Sequence, residues 1–238
     1  MSMLPLRDPG IRAVIATRGG KGSYRIADRL DFAAARADPK PFVGISDTTI
    51  LHLALWQRCR LVGLHGALYP DATTGRVTES TAESLREALM HNIGAVTARA
   101  DEPTSELTTS GRAEGPVLGG NLVLMATAAG WALPDLAGAI VFLEAVDLYL
   151  GQIDRELTML RKAGHLNGIS GIALGQFTSC PPSKRITVGA LLRDHLEPLG
   201  VPILGGLPLG HGHSPLTIPL GATAVLDTAA KSLTFNAR

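Results

Sequence analysis

The chain is poor in the residues that mark several common protein classes. Only two of its 238 residues are cysteines, Cys59 and Cys180, and they lie far apart. This spacing excludes a disulfide framework and a cysteine-based zinc motif, and it is typical of ordinary thiols in a reducing compartment. No apolar stretch reaches membrane-spanning length without a Gly, a Pro or a charge, and the first residues carry no signal pattern. We therefore expect a cytoplasmic protein that spans no membrane.

An excess of charge of one sign is also missing. Lys plus Arg number 22 and Asp plus Glu number 21, and the basic residues form no run. This balance argues against a nucleic-acid surface. Hydrophobic residues make up 45% and charged residues 18% of the chain, which favours a folded domain with a real core over disorder.

Short apolar runs alternate with helical patterns, which predicts an α/β fold with a parallel sheet. In the first half we predict strands at 13–17, 41–45 and 61–65, and helices at 24–35, 48–58 and 78–91. In the second half we predict strands at 139–143, 171–175 and 202–205, and helices at 122–129, at 152–163 and around Leu191 and Leu192. The tail, 216–235, reads as short antiparallel strands.

A polar, turn-rich segment with little periodicity interrupts this pattern. It predicts three parts: an N-terminal domain over residues 1–92, a linker over 93–115 and a C-terminal domain over 116–238.

Ser46 lies in Gly44-Ile45-Ser46-Asp47, between a buried strand and an amphipathic helix. A serine on a tight strand-to-helix turn stands clear of the sheet, beside the unpaired first amides of the helix. This position suits a nucleophile whose attack creates an oxyanion. The alternative is that Ser46 or Asp47 only caps the helix.

A nucleophilic serine needs a base and an acid that orients the base. Among the seven histidines, His211 and His213 stand out because they lie in a loop directly after a predicted strand, where α/β folds keep their chemistry. Glu144 ends the strand at 140–143 and is a candidate acid. The alternative is that Glu144 only emerges into solvent or pairs with Arg155.

Two backbone amides are candidates for an oxyanion hole: that of Asp47, directly after the serine, and that of Gly20, in a glycine turn that permits close approach. The same turn could be a phosphate loop, but Gly22 follows Lys21 where that motif needs Ser or Thr. A His-x-His pair could also bind metal, but we can name no third ligand, so we predict no metal and no cofactor.

Taken together, these residues resemble the LD-carboxypeptidase family, which includes muramoyltetrapeptide carboxypeptidases and the microcin C self-immunity peptidases. The resemblance spans about residues 12 to 225 in the same order. Its motifs are Arg18-Gly19-Gly20, Gly22-Ser23, Gly44 with Ser46-Asp47, Gly119-Gly120-Asn121-Leu122, Val141-Phe142-Leu143-Glu144, Ile153-Asp154-Arg155, Gly210-His211-Gly212 and Leu216 to Gly221.

The resemblance implies a Ser-His-Glu triad of Ser46, His211 and Glu144, with Asp47 and Gly20 as oxyanion amides. It implies a serine peptidase that releases a C-terminal D-amino acid, with murein tetrapeptide in cell-wall recycling as the expected substrate. A carboxypeptidase must also bind the terminal carboxylate, and the candidate cations are Lys21, Arg18 and Arg155. The implied fold is an N-terminal Rossmann-like parallel sheet followed by a C-terminal α/β domain.

This chain departs from the family pattern at several positions. Lys21 stands where a tyrosine is usual, Ile45 where Tyr or Phe is usual and Ala145 where a second acid is usual. The chain also begins close to the first matching strand, so we expect a sheet shortened at the front, with an exposed edge that a homodimer would cover. Two other functions stay open: a peptidase that detoxifies a peptidyl-nucleotide antibiotic, and a non-catalytic muropeptide-binding paralogue.

Overall fold

The structure, a computed structural model, describes residues 4–66, 75–91 and 93–236. The strands in chain order are β1 (Val14–Ile15), β2 (Phe42–Gly44), β3 (Gly63–His65), β4 (Ala95–Thr97), β5 (Arg112–Asn121), β6 (Ile140–Val146), β7 (Gly171–Thr178), β8 (Ile203–Leu204), β9 (Ile218–Leu220), β10 (Thr223–Asp227) and β11 (Ser232–Phe235). The α-helices are α1 (Leu4–Arg7), α2 (Phe32–Ala37), α3 (Thr49–Cys59), α4 (Glu79–Met90), α5 (Leu122–Ala128), α6 (Leu150–Lys162) and α7 (Val188–Leu196). Within these ranges no helix combines the length and the apolar character needed to cross a bilayer.

The first sheet has the strand order β1-β2-β3-β9. Strands β1, β2 and β3 are parallel, and β9 pairs antiparallel with β3. Phe42 and Val43 of β2 are buried, as expected for a strand covered on both faces. The predicted parallel sheet of the N-terminal half is confirmed. The C-terminal half adds β9 to it.

The second sheet has the order β4-β11-β10-β5-β6-β7-β8. Strands β5 to β8 are parallel, whereas β10, β11 and β4 are antiparallel, which confirms the predicted antiparallel tail. The segment 93–115 contributes β4 and the start of β5 to this sheet. Strand β4 escaped sequence reasoning because only Val96 of its three residues points into the core.

The predicted helix over 24–35 is wrong in its extent. The chain forms 3-10 turns at Ser23–Arg25 and Ala27–Arg29, and α2 begins only at Phe32. The side chain of Asp31 accepts a hydrogen bond from the Ala34 amide at 3.0 Å, so this residue is an N-cap that separates the turns from the helix.

Helices α3 and α5 pack where the two sheets meet. Ile50 of α3 and Leu122 and Met125 of α5 are fully buried in one hydrophobic cluster. The Thr49 hydroxyl accepts a hydrogen bond from the Asn121 amide at 3.0 Å. Because α3 begins just after Ser46 and β5 ends at Asn121, this contact ties together the carboxyl ends of two parallel strands, where such folds carry their chemistry.

Candidate active site

Ser46 lies directly after β2 in a strained backbone conformation. Its φ is 65°, in the left-handed region, which costs a non-glycine residue on the order of 1 kcal/mol or more. Ile45 before it is extended, and a 3-10 turn, Ser46–Thr48, leads into α3. Neither this turn nor α3 has a side-chain cap hydrogen bond, so the helix-cap alternative is wrong. Strain of this kind at a strand-to-helix turn is the geometry of a nucleophile elbow.

The glycine turn after β1 lies against Ser46. A Cβ added at Gly19 would come within 2.7 Å of the Ser46 Cβ, so only glycine permits this approach. The Asp47 carboxylate accepts hydrogen bonds from the backbone amides of Gly22, at 3.4 Å, and Ser23, at 3.0 Å. Asp47 therefore fixes the glycine turn beside the serine. This arrangement agrees with the predicted oxyanion amides of Asp47 and Gly20, which stay a prediction.

Glu144 is fully buried inside β6, which continues to Val146. A buried carboxylate is stable only when its oxygens are hydrogen-bonded. One oxygen accepts from His211 Nδ1 at 2.7 Å, and the other accepts from Asn121 Nδ2 at 3.1 Å. The alternative pairing with Arg155 is wrong, because Arg155 pairs with Glu156 at 3.2 Å.

His211 lies in the loop after β8, and only 4% of its surface is exposed. Gly210 before it has φ 132°, and a Cβ there would come within 3.1 Å of the Glu144 carboxylate, so glycine is needed for the close approach. Burial alone would lower the pKa of His211. The negative charges of Glu144 and Asp147 and the hydrogen bond that His211 donates to Glu144 outweigh burial and raise this pKa above its usual value. The imidazole is thus oriented by an acid, as a general base requires.

The turn that carries Ser46 is linked to this pair through α3 and the end of β5. Thr49, in the first turn of α3, bonds the Asn121 backbone, and the Asn121 side chain bonds Glu144. His65, which pairs in register with Gly44 at the end of β2, lies within electrostatic range of His211. The three candidate catalytic residues therefore belong to one region of the molecule.

Sequence reasoning missed Asn121 as a site residue. The only signal was its position after two glycines at the end of an apolar strand. A Cβ at Gly120 would come within 2.6 Å of the Thr49 hydroxyl, so that glycine allows β5 to approach α3. Burial of an amide beside a buried carboxylate is visible only in the folded chain.

The chain matches known proteins over most of its length. Family models of the LD-carboxypeptidase N-terminal and C-terminal domains match residues 3–66 and 114–226. The Streptomyces coelicolor protein SCO6489, which carries a carboxypeptidase name, is 40% identical over 232 residues, covering 96% of this chain and 73% of its own. The chain belongs to the LD-carboxypeptidase family. It is accordingly a hydrolase, a serine-type peptidase of the LD-carboxypeptidase kind.

Two further comparisons give relatives with more specific names. The murein tetrapeptide carboxypeptidase of Pseudomonas aeruginosa is 30% identical over 226 residues, which cover 92% of this chain and 73% of that protein. Solved structures of the microcin C7 self-immunity protein MccF, one in complex with aspartyl sulfamoyl adenosine, match with a TM-score of 0.84 at 27% identity. They cover 99% of this chain and 78% of theirs.

The three cations predicted to bind the terminal carboxylate of an LD-carboxypeptidase substrate differ from one another in their surroundings. Arg18 and Lys21 are exposed on the glycine turn beside Ser46, and Arg18 Nε donates to the Gly19 carbonyl at 3.3 Å. Arg155 lies on α6 and is held by Glu156. The position of the turn favours Lys21 and Arg18 over Arg155, and all three assignments stay predictions.

The metal alternative finds no support in the part of the chain that the structure describes. There, no group of three or more His, Cys, Asp and Glu side chains has metal-binding geometry. His211 Nδ1 is engaged by Glu144, and the exposed His213 contributes its carbonyl oxygen to Gln176 and Arg99.

Proposed function

We propose that this enzyme hydrolyses the peptide bond between an L-centre and a C-terminal D-amino acid, with murein tetrapeptide as substrate. The observation that carries the proposal is the buried His211–Glu144 pair at 2.7 Å, in the same region as the strained Ser46. A named relative that acts on murein tetrapeptide supports the substrate class.

In the proposed reaction Ser46 attacks the scissile carbonyl while His211 takes the serine proton. Glu144 orients His211 and stabilises its charged form. The amides of Asp47 and Gly20 stabilise the oxyanion, a contribution of about 2.7–4 kcal/mol per donor. His211 then returns the proton to the leaving amine, and water releases the acyl group from Ser46.

The first experiment measures release of D-alanine from L-Ala-γ-D-Glu-meso-diaminopimelate-D-Ala. We expect wild-type enzyme to release it, Ser46→Ala to lose release, and Ser80→Ala, a change of an exposed serine on α4, to retain it. Release by Ser46→Ala at the wild-type rate would exclude Ser46 as the nucleophile. No release by folded wild-type enzyme would exclude murein tetrapeptide as the substrate.

A second candidate substrate is an aminoacyl nucleotide analogue, such as the one bound by MccF. One observation favours it: Tyr149, at the start of α6 and just beyond the strand that carries Glu144, is 72% exposed and could stack on a base. Cleavage of aspartyl sulfamoyl adenosine, lost in Tyr149→Ala, would support this substrate. If folded wild-type enzyme cleaves neither compound, both proposed substrates are wrong.

We also propose a cytoplasmic homodimer. The support for the dimer is the edge strand β1, where Ile15 is 51% exposed and available for contact with a second copy. Light scattering during size-exclusion chromatography tests it: twice the chain mass is expected, and the mass of a single chain would refute the dimer. Cell fractionation tests the location.

A further inference from the structure

A buried glutamine, Gln176, contacts the backbone on both sides of His211. The backbone amide of Gln176 donates to the Leu209 carbonyl at 2.8 Å. Its side-chain oxygen accepts from the Gly212 amide at 2.8 Å, and its Nε2 donates to the His213 carbonyl at 3.1 Å. One residue thus holds the loop before and after the candidate base.

The path of β7 explains how Gln176 reaches this loop. In the pairing of β6 with β7, Leu143 lies opposite Leu174, but Ala145 lies opposite Phe177. Two residues of β7, Gly175 and Gln176, therefore oppose Glu144 alone, which is a β-bulge. Bulges redirect a side chain and are common beside active sites.

The bulge brings Gln176 and Glu144 to the same side of the loop. A Cβ added at Gly210 would lie 3.1 Å from the Glu144 carboxylate and 3.4 Å from the Gln176 Cβ. A Cβ at Gly175 would collide with the Leu209 carbonyl at 2.2 Å. The His211 loop therefore packs directly on the bulge.

The other donor bond of Gln176 reaches a different segment of the chain. Its Nε2 donates to the Glu102 carboxylate at 2.6 Å, where Glu102 precedes the 3-10 helix Pro103–Leu107. Burial raises the pKa of this half-buried carboxyl, and the hydrogen bond from Gln176 counteracts part of that rise. Glu102 fixes the amide orientation of Gln176, because a carboxylate can only accept.

We propose that Gln176, anchored by Glu102, is a positioning residue that holds His211 in contact with Glu144. The inference rests on the proposed role of His211 as the general base. A base displaced by about 1 Å can lose on the order of 100-fold in rate, so three hydrogen bonds to the loop matter for catalysis as well as for folding.

The decisive variant is Gln176→Met, which keeps the length of the side chain and removes its three side-chain hydrogen bonds. We expect kcat to fall on the order of 10- to 100-fold while KM changes by no more than about threefold. We also expect the pKa of His211, followed by NMR of labelled histidines and assigned with His211→Asn, to fall toward its ordinary value, because the ring moves away from Glu144.

The matched control is Thr228→Ala. The buried Thr228 hydroxyl also bridges two backbone groups of a neighbouring loop, at Gly111, through two bonds of 2.9 Å. Gly111 precedes β5, whereas Asn121 ends it, about 30 Å away at the usual rise per residue. We expect Thr228→Ala to lower Tm but to leave kcat and the pKa of His211 unchanged.

The two readouts separate this inference from the proposed function. If wild-type enzyme turns over no peptide, a His211 pKa that falls in Gln176→Met and not in Thr228→Ala still supports the positioning role. If Gln176→Met does not fold, the Glu102→Ala variant tests the positioning role instead. We expect it to show a smaller fall in kcat and in the His211 pKa. The inference would be overturned if these variants lower only Tm and leave kcat and the pKa of His211 unchanged.

Discussion

The backbone of Gly19 lies so close to Ser46 that a methyl group at position 19 would come within 2.9 Å of the Ser46 hydroxyl oxygen. The same turn is fixed by two amides that donate to the Asp47 carboxylate. The glycine turn therefore forms one wall of the space around the candidate nucleophile, and its distance from the serine depends on the absence of a side chain.

Gly19→Ala should lower kcat/KM by on the order of 100-fold, because the new methyl group displaces either the turn or Ser46. Steady-state kinetics and the unfolding midpoint measure this effect. The matched control is Gly151→Ala in α6, where a Cβ meets no atom within 4 Å. That variant should keep its activity and gain up to about 1 kcal/mol of stability. Equal activity of both variants would contradict the assigned contact.

Asn121→Ala should reduce activity and stability together. It leaves one oxygen of the buried Glu144 without its amide donor, a cost of about 1–3 kcal/mol in the free energy of unfolding, and it removes one of the two contacts that orient the carboxylate. Urea denaturation and kcat measure the two effects. Asn167→Ala, a change of an exposed asparagine beyond α6, is the control. A wild-type kcat in Asn121→Ala would show that Glu144 needs no support from this amide.

The pH dependence of kcat/KM should report His211. A general base works only when neutral, so activity should decline as the pH falls through the raised pKa of His211. In Glu144→Gln the negative charge that raises this pKa is gone while burial remains. The acid limb of the profile should therefore move to lower pH, and the maximal rate should drop. An acid limb that moves to higher pH would contradict the assignment.

Acid stability should depend on His52, which is buried in α3 and donates from Nε2 to the Gly44 carbonyl at 3.1 Å. Burial lowers the pKa of His52 to about 4. The unfolded chain, with a histidine pKa near 6.5, therefore binds more protons between these values. Stability should fall as the pH drops from about 6.5 to about 4, by up to about 3 kcal/mol from this group.

Urea denaturation at several pH values measures this loss. His52→Gln, which keeps a donor for Gly44 and cannot titrate, should show a smaller loss over the same interval. An identical pH dependence in both proteins would assign the acid sensitivity to other groups, of which the fully buried His65 is one.

The local sequence pattern determined many of the strands, helices and motifs of this protein. The apolar runs at 41–45 and 139–143 specify strands because they bury both faces, and the Gly-x-Ser turn between strand and helix specifies the place of Ser46 at the end of a strand. The order of the motifs was enough to indicate the family. Each residue of the candidate triad, and the glycine turn, could be picked out because its own motif is made of residues close together in the sequence.

The tertiary structure decided the features that depend on distant segments. Pairing of β9 with β3 joins the tail to the first sheet, and β4 forms only because β11 offers it an edge. The choice of His211 over Arg155 as the partner of Glu144, and the contacts of Asn121 and Gln176, follow from burial. A buried carboxylate takes the donors that folding brings to it, and no local sequence pattern specifies which those are.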